Sequence, residues 1–199
     1  MDTLIQILAI LLSYLLGAVP FGLLFSKIYS DVDVRTIGSG NIGATNVLRA
    51  AGKKAAVLTL LADALKGLVP VLLVKSIFID DSAAFVSGAA AILGHNFPVY
   101  LKFKGGKGVA TSYGVVLGVA PLIGFLCLII WLLAALIWRY SSLAAIISFA
   151  CYLGITIIMT SPQSKSHGLL SLFIFGMIYF RHRENIKRLL AGTEPRIGA

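Results

Sequence analysis

The stretch Gly108-Val-Ala-Thr-Ser-Tyr-Gly-Val-Val-Leu-Gly-Val-Ala-Pro-Leu-Ile-Gly-Phe-Leu-Cys-Leu-Ile-Ile-Trp-Leu-Leu-Ala-Ala-Leu-Ile-Trp138 carries no charged residue and reads as either one membrane span or two. As one helix it would run roughly 46 Å at 1.5 Å per residue, against a hydrocarbon core of about 30 Å. Gly118 and Pro121 interrupt it, and both favour a turn or a break. Charge decides between the two readings. Lys and Arg cluster at 27–54 (Lys27, Arg35, Arg49, Lys53, Lys54), at 102–107 (Lys102, Lys104, Lys107), at Arg139, and in the tail (Arg181, Arg183, Lys187, Arg188, Arg196). A single span would put Arg139 and the tail opposite the first two clusters, whereas two spans put all four on one face, as the positive-inside bias demands. The expected fold is an all-α polytopic membrane protein with seven transmembrane helices, at about 4–25, 55–74, 82–101, 108–118, 120–138, 140–160 and 168–180. Its N-terminus lies outside and its C-terminus in the cytoplasm. The fourth span, only about 11 residues, must tilt, thin the bilayer or lie shielded among its neighbours.

Composition agrees. A hydrophobic content of 58%, 13% charged residues and a mean hydropathy of +0.94 exclude an ordinary soluble domain. The net charge of +9 is divided into short patches between apolar runs. That pattern points to a membrane surface and phosphorylated ligands, not to nucleic acid. Cys127 and Cys151 fall inside apolar runs and read as small core residues, neither redox pair nor metal ligands. The N-terminal run has Asp2, no basic region before it, and enough length to span, so it reads as a first helix and not a cleavable leader. Residues 1–199 read as one membrane-embedded domain without repeats. Gly17, Gly22, Gly67, Gly88, Gly114, Gly118 and Gly124 are expected where helices approach closely.

Immediately upstream stands Gly94-His-Asn-Phe-Pro-Val-Tyr-Leu-Lys-Phe-Lys-Gly-Gly-Lys-Gly-Val-Ala-Thr111. Glycines let backbone N–H groups converge on an anion, a helix starting at Val109 adds its positive end, and lysines add point charges. Lys104, Gly105, Gly106, Lys107 and Gly108 are therefore candidate phosphate-binding residues, and His95 and Thr111 of the same stretch are candidate substrate-binding residues. The lysines alone would fit a plain positive-inside anchor equally well. A Walker A loop is excluded, because Leu101 and Gly108 stand where that pattern needs Gly and Ser or Thr.

Three further groups lie at the same membrane edge. Arg35-Thr-Ile-Gly-Ser-Gly-Asn-Ile-Gly-Ala-Thr-Asn-Val-Leu-Arg49 packs Gly38, Ser39, Gly40, Asn41, Thr45 and Asn46 into a short polar loop, with Arg49 placed to clamp a phosphate. Arg139-Tyr-Ser-Ser142 offers Ser142, either a helix cap or a site residue. In Tyr179-Phe-Arg-His-Arg-Glu-Asn-Ile-Lys-Arg188, His182 and Asn185 share a helix face. His182 can serve as a base or as a phosphate ligand. Glu184 is expected to pair with Arg181 or Arg188. Asp63 and Lys66, one turn apart inside the second span, read as a self-neutralising structural pair.

Taken together, Gly38–Asn46, Gly94–Thr111 and His182-Arg-Glu-Asn-Ile186 resemble the motifs of the bacterial acyl-phosphate:glycerol-3-phosphate acyltransferases, the PlsY family. The likeness runs nearly the full chain, through Asp63-Ala-Leu-Lys-Gly67 and Arg139-Tyr-Ser-Ser142. The resemblance implies a multi-pass enzyme of the bacterial inner membrane with its active site on the cytoplasmic side. It would move a fatty acyl group from acyl phosphate to glycerol 3-phosphate, without cofactor or metal, and would make at most transient contact with the enzyme that supplies acyl phosphate. Ser39, Arg49, Lys107, His182 and Asn185 would be catalytic, and the remaining motif residues substrate-binding. Acyl phosphate is already activated, and the chain has neither a Gly-x-Ser-x-Gly elbow nor a His followed five residues later by Asp. A transporter of anions would need polar access on both faces, and the expected outer connections, Lys75–Asp81, Gly118–Pro121 and Ser161–His167, hold only Lys75 and Lys165 as basic residues. Cysteines placed at Ser164 and Thr193 are expected to label from opposite sides of intact cells. Labelling of both from one side contradicts the seven-span order.

Overall fold

The structure, a computed structural model, describes residues 2–78, 81–159 and 165–198. Among these residues all regular structure is helical. The chain forms two compact units, Met1–Val119 and Ala120–Ala199. The first holds α1 (Asp2–Gly17), α2 (Phe21–Ser30), α3 (Ala44–Ile77), α4 (Asp81–Asn96) and α5 (Val109–Val119), with single 3-10 turns at Val34–Thr36 and Val99–Leu101. The second holds α6 (Pro121–Trp138), α7 (Ser141–Met159), α8 (Lys165–Arg181) and α9 (Arg183–Leu190).

The break expected within 108–138 is present. Helix α5 stops at Val119, Ala120 leaves helical geometry at φ −146° and ψ 77°, and Pro121 opens α6. Proline suits that position because its φ is pre-set and a first-turn N–H has no helical partner to lose. Two further breaks differ from expectation. The first span is not one helix over 4–25 but two, parted at Ala18–Pro20, because Pro20 cannot continue the hydrogen-bond ladder and disfavours helical geometry at Val19. In α3, Gly52 sits at φ 81° and ψ −178°, a conformation open to glycine, so residues 44–51 form their own short helix. Thr45, Asn46 and Arg49 are consequently helical and not part of a loop.

Five stretches among the described residues are long and apolar enough to cross a bilayer: Thr3–Ser30, Ala44–Ile77, Asp81–Leu101, Pro121–Trp138 and Ser141–Met159. The expected seven thus divide into these five and two shorter helices, the 11-residue α5 and the 17-residue α8. The expected outer connections Lys75–Asp81 and Ser161–His167 lie partly outside the described residues, and Lys75 and His167 are themselves helical.

In the first unit α3 is the common element, packed on α1, α2, α4 and α5. Backbones meet where side chains are missing. A Cβ on Gly67 would strike the Thr111 carbonyl, one on Gly114 the Ala64 carbonyl, and one on Gly17 the Ala91 carbonyl. Small residues allow such contact where the hydrophobic effect gives helices no reason to associate. In the second unit α6 and α7 join through Ala134, Ala135 and Ala144, and Ser148 Oγ donates to the Cys127 carbonyl at 2.7 Å. Both cysteines are free thiols.

Candidate active site

In the first unit the loop before α3 is built around one side chain. Asn46 is buried at 2% exposure. Its Nδ2 donates to the carbonyls of Val34 (2.9 Å), Ile37 (2.9 Å) and Asn41 (3.0 Å), and its Oδ1 accepts from Ser39 N–H at 3.1 Å. Those bonds replace the ladder that the loop backbone lacks, and they hold Gly38, Ser39 and Gly40 at the surface. Gly38 and Gly40 both have positive φ, 57° and 66°. The Asn46 side chain is used within the loop, so it acts there as a brace. Asn41 Oδ1 accepts from Gly43 N–H at 3.0 Å. Arg35 is bound bidentately to Asp33, from Nε at 2.9 Å and Nη2 at 2.6 Å. That side-chain hydrogen bond lowers the Asp33 carboxyl to about 2, helped by the Arg35 backbone N–H. Arg49 is exposed, its Cδ lying over Gly38, and Thr45 is exposed beside it.

The glycine loop folds back on the residues that precede it. Gly106 N–H donates to the His95 carbonyl at 3.1 Å. A Cβ on Gly105 would meet that carbonyl and Pro98 Cδ, one on Gly106 the His95 imidazole, and one on Gly108 (φ 79°) the Asn96 amide. Gly106 therefore lacks a side chain because an imidazole fills that space; the sequence alone suggested that phosphate would. Tyr14 Oη holds the intervening turn by donating to the Phe97 carbonyl at 2.7 Å. Lys104 is exposed, and Lys107 and Gly105 are half-buried. The two loops share one apolar footing, since Leu101 packs against the cluster of Val34, Ile42, Val47, Ala55 and Ala56. Thr111 is fully buried on α5, against Gly67.

His95 is also buried, at 4% exposure, and its Nδ1 lies 3.7 Å from Asp63 Oδ1. The same carboxylate oxygen is 2.7 Å from Lys66 Nζ, which donates to the Val19 carbonyl at 2.8 Å and sits 5.6 Å from the Phe21 ring centre. The pairing of Asp63 with Lys66 is as expected, but the contact with His95 was not legible at a separation of 32 residues. Asn96 was likewise missed. Among the described residues, neither polar atom of its buried amide has a hydrogen-bond partner.

In the second unit the keystone is Glu194, a residue that sequence reasoning passed over. Its Oε1 accepts from Ser142 Oγ at 2.6 Å and from Asn185 Nδ2 at 2.7 Å, and its Oε2 accepts from Arg188 Nε at 2.8 Å. Burial pushes the Glu194 carboxyl up, but the three donated hydrogen bonds and the Arg188 charge outweigh it and hold the group below the usual glutamate range. The one available signal was a second carboxylate, ten residues after Glu184, in an otherwise basic tail. Arg188 is thus taken by Glu194, and Glu184 pairs with Lys187 (3.2 Å) and Arg183 (3.7 Å) in place of the expected Arg181 or Arg188. Ser142 lies in the first turn of α7, where its hydroxyl serves Glu194. His182 caps α9 at 2% exposure, and its Nδ1 lies 2.8 Å from the Ile178 carbonyl. A carbonyl only accepts, so Nδ1 carries a proton and donates it to that bond.

Comparison with known proteins matches residues 7–192 to the family described as glycerol-3-phosphate acyltransferase. A protein of that name from Dinoroseobacter shibae is 51% identical over 194 residues, covering 95% of this chain and 91% of its own. One from Agrobacterium fabrum is 49% identical over 191 residues, covering 96% and 91%. Among solved structures, PlsY, an integral membrane glycerol 3-phosphate acyltransferase, superposes in its glycerol 3-phosphate form with a TM-score of 0.90 at 43% identity, covering 97% of this chain and 96% of that one. Its lysophosphatidic acid form gives 0.88 at 42%, covering 97% and 95%.

The Glu194 network carries a pH signature. A carboxylate whose folded-state value is lowered stabilises fully above the ordinary glutamate range and loses that contribution as pH falls through the folded-state value. The thermal midpoint of the wild type should therefore exceed that of Glu194→Gln at neutral pH, and the gap should close on acidification below pH 4.5. Thermal unfolding in detergent across that range checks it, and a gap that stays constant or widens in acid contradicts it.

Proposed function

The chain belongs to the glycerol-3-phosphate acyltransferase family, and from that premise we propose that it transfers a fatty acyl group from acyl phosphate to the 1-hydroxyl of glycerol 3-phosphate. The products are lysophosphatidic acid and phosphate, the first step of phospholipid synthesis. The observation that carries this reading is the match over nearly the whole chain to PlsY structures in glycerol 3-phosphate and lysophosphatidic acid forms, an acceptor and its acylated product. An acyl phosphate donor is supported by the residues. A glycine loop with Lys104 and Lys107 beside it suits a phosphoryl group, and spans on either side suit an acyl chain in lipid.

The mechanism we infer is direct attack. The hydroxyl oxygen of glycerol 3-phosphate bonds to the acyl carbonyl carbon, the bond from that carbon to the phosphate oxygen breaks, and phosphate departs with the electron pair. The hydroxyl proton passes to a phosphate oxygen. In the first unit, Gly105, Gly106, Lys107 and Gly108 hold acyl phosphate, and Ser39 and Arg49 take glycerol 3-phosphate. His182 and Asn185, in the second unit, are read as polar groups that act by position, because a mixed anhydride needs no strong base. Positioning and fixed donors then supply most of the rate enhancement. Residues 1–199 act as one enzyme of a bacterial inner membrane, with these groups at the cytoplasmic face and the acyl-phosphate-producing enzyme a transient neighbour. The bacterial sources of the relatives support that setting.

The purified protein should release phosphate from a long-chain acyl phosphate only when glycerol 3-phosphate is present, with lysophosphatidic acid formed in equal amount. Release without acceptor, or uptake of acceptor into sealed vesicles without conversion, overturns the reading.

A further inference from the structure

Beneath the glycine loop lies a chain of buried polar groups that direct transfer leaves without a task. Lys66 and Asp63 side chains are 1% and 3% exposed and 2.7 Å apart; Asp63 Oδ1 is 3.7 Å from His95 Nδ1. The far side of the imidazole occupies the space where Gly106 would carry a side chain, and the His95 carbonyl accepts from Gly106 N–H at 3.1 Å. Charge neutralisation explains why Lys66 has Asp63. It does not explain why the carboxylate faces an imidazole whose other edge lies against the loop. Helix α3 also fixes the opposite end of that loop, because Gly67, next to Lys66, packs on the Thr111 carbonyl in the first turn of α5.

We propose that Asp63 and His95 form a positioning relay: the carboxylate sets the imidazole, and the imidazole sets the backbone of Gly105–Gly108 in the posture that receives the donor's phosphate. The relay rests on the acyltransferase reading given above. In this reading its members act through the loop backbone and not on the substrate itself. A carboxylate that orients an imidazole which in turn orients a binding group is the arrangement by which outer partners tune metal ligands, and loss of such a partner lowers affinity by about 10- to 100-fold.

The test must separate the relay from plain charge pairing, since Asp63→Asn alone would strand the Lys66 ammonium. The double variant Asp63→Asn with Lys66→Met removes both charges together. With wild-type thermal stability kept, it should raise the KM for acyl phosphate about tenfold, leave the KM for glycerol 3-phosphate unchanged and keep kcat within about twofold. His95→Gln, which leaves Asp63 paired with Lys66, should raise the same KM by the same factor, so the expectation survives if the double variant does not fold. Adding His95→Gln to the double variant should raise it no further, because one broken relay cannot be broken twice. A wild-type acyl phosphate KM in either variant overturns the relay. So does a loss spread equally over both substrates and kcat, which is what general loosening would give. A wild-type protein that fails to transfer at all overturns the acyltransferase reading, and the relay with it.

Discussion

A lysine ammonium inside a membrane span has to find partners, and much of the first unit follows from how Lys66 finds them. An unpaired buried charge is among the most destabilising features a protein can carry, and the bilayer supplies no water to relieve it. Lys66 takes one carboxylate oxygen from Asp63 on its own helix and one carbonyl, Val19, from the gap between α1 and α2. That carbonyl lies outside either helical ladder, in the break at Ala18–Pro20, where it also accepts from Phe21 N–H at 3.1 Å. The proline break and the buried lysine are therefore two halves of one arrangement. The Phe21 ring beside the ammonium adds a cation–π contact. Together they tie α1, α2 and α3 at one depth, and through His95 they tie α4 to the same point.

The two loops solve the same physical problem in different ways. Irregular backbone that is buried against the ends of spans must satisfy its polar groups within the protein. Before α3 one asparagine does this, Asn46 collecting three carbonyls and one N–H. After α4 the backbone folds against itself, and glycines at 105, 106 and 108 make room for the carbonyl, ring and amide of His95 and Asn96. In the second unit a tail carboxylate gathers Ser142, Asn185 and Arg188, so residues far apart in sequence share one acceptor.

What could be read from the sequence follows from the range of the forces involved. The split at Gly118–Pro121 was legible because it rests on local backbone chemistry and on charge parity along the chain. The motif residues were legible as a set because density of Gly, Asn and Lys is a local property. The break at Pro20 was not read, since a lone proline inside an apolar run only kinks many membrane helices; its meaning depends on Lys66, 46 residues later. The brace at Asn46, the contact of His95 with Asp63 and the keystone at Glu194 are tertiary facts. Sequence marked Asn46 and His95 as substrate-binding because a polar side chain next to glycine looks alike whether it faces a ligand or the loop. Glu194 was overlooked because its basic surroundings suggested a lipid-surface anchor. The count of seven rests on charge parity, which divides 108–138 whatever the length of the pieces; α5, at 11 residues, is as short as that division requires, and α8 has 17.

The central chemical claim is that an activated donor and two well-held substrates make a protein nucleophile unnecessary. Purified protein incubated with acyl phosphate and radiolabelled inorganic phosphate, without glycerol 3-phosphate, tests this directly. Direct transfer predicts that no label enters acyl phosphate, because the acyl group leaves phosphate only for the acceptor hydroxyl. Incorporation of label at a rate comparable to turnover would reveal an acyl-enzyme in equilibrium with free phosphate and would contradict the account.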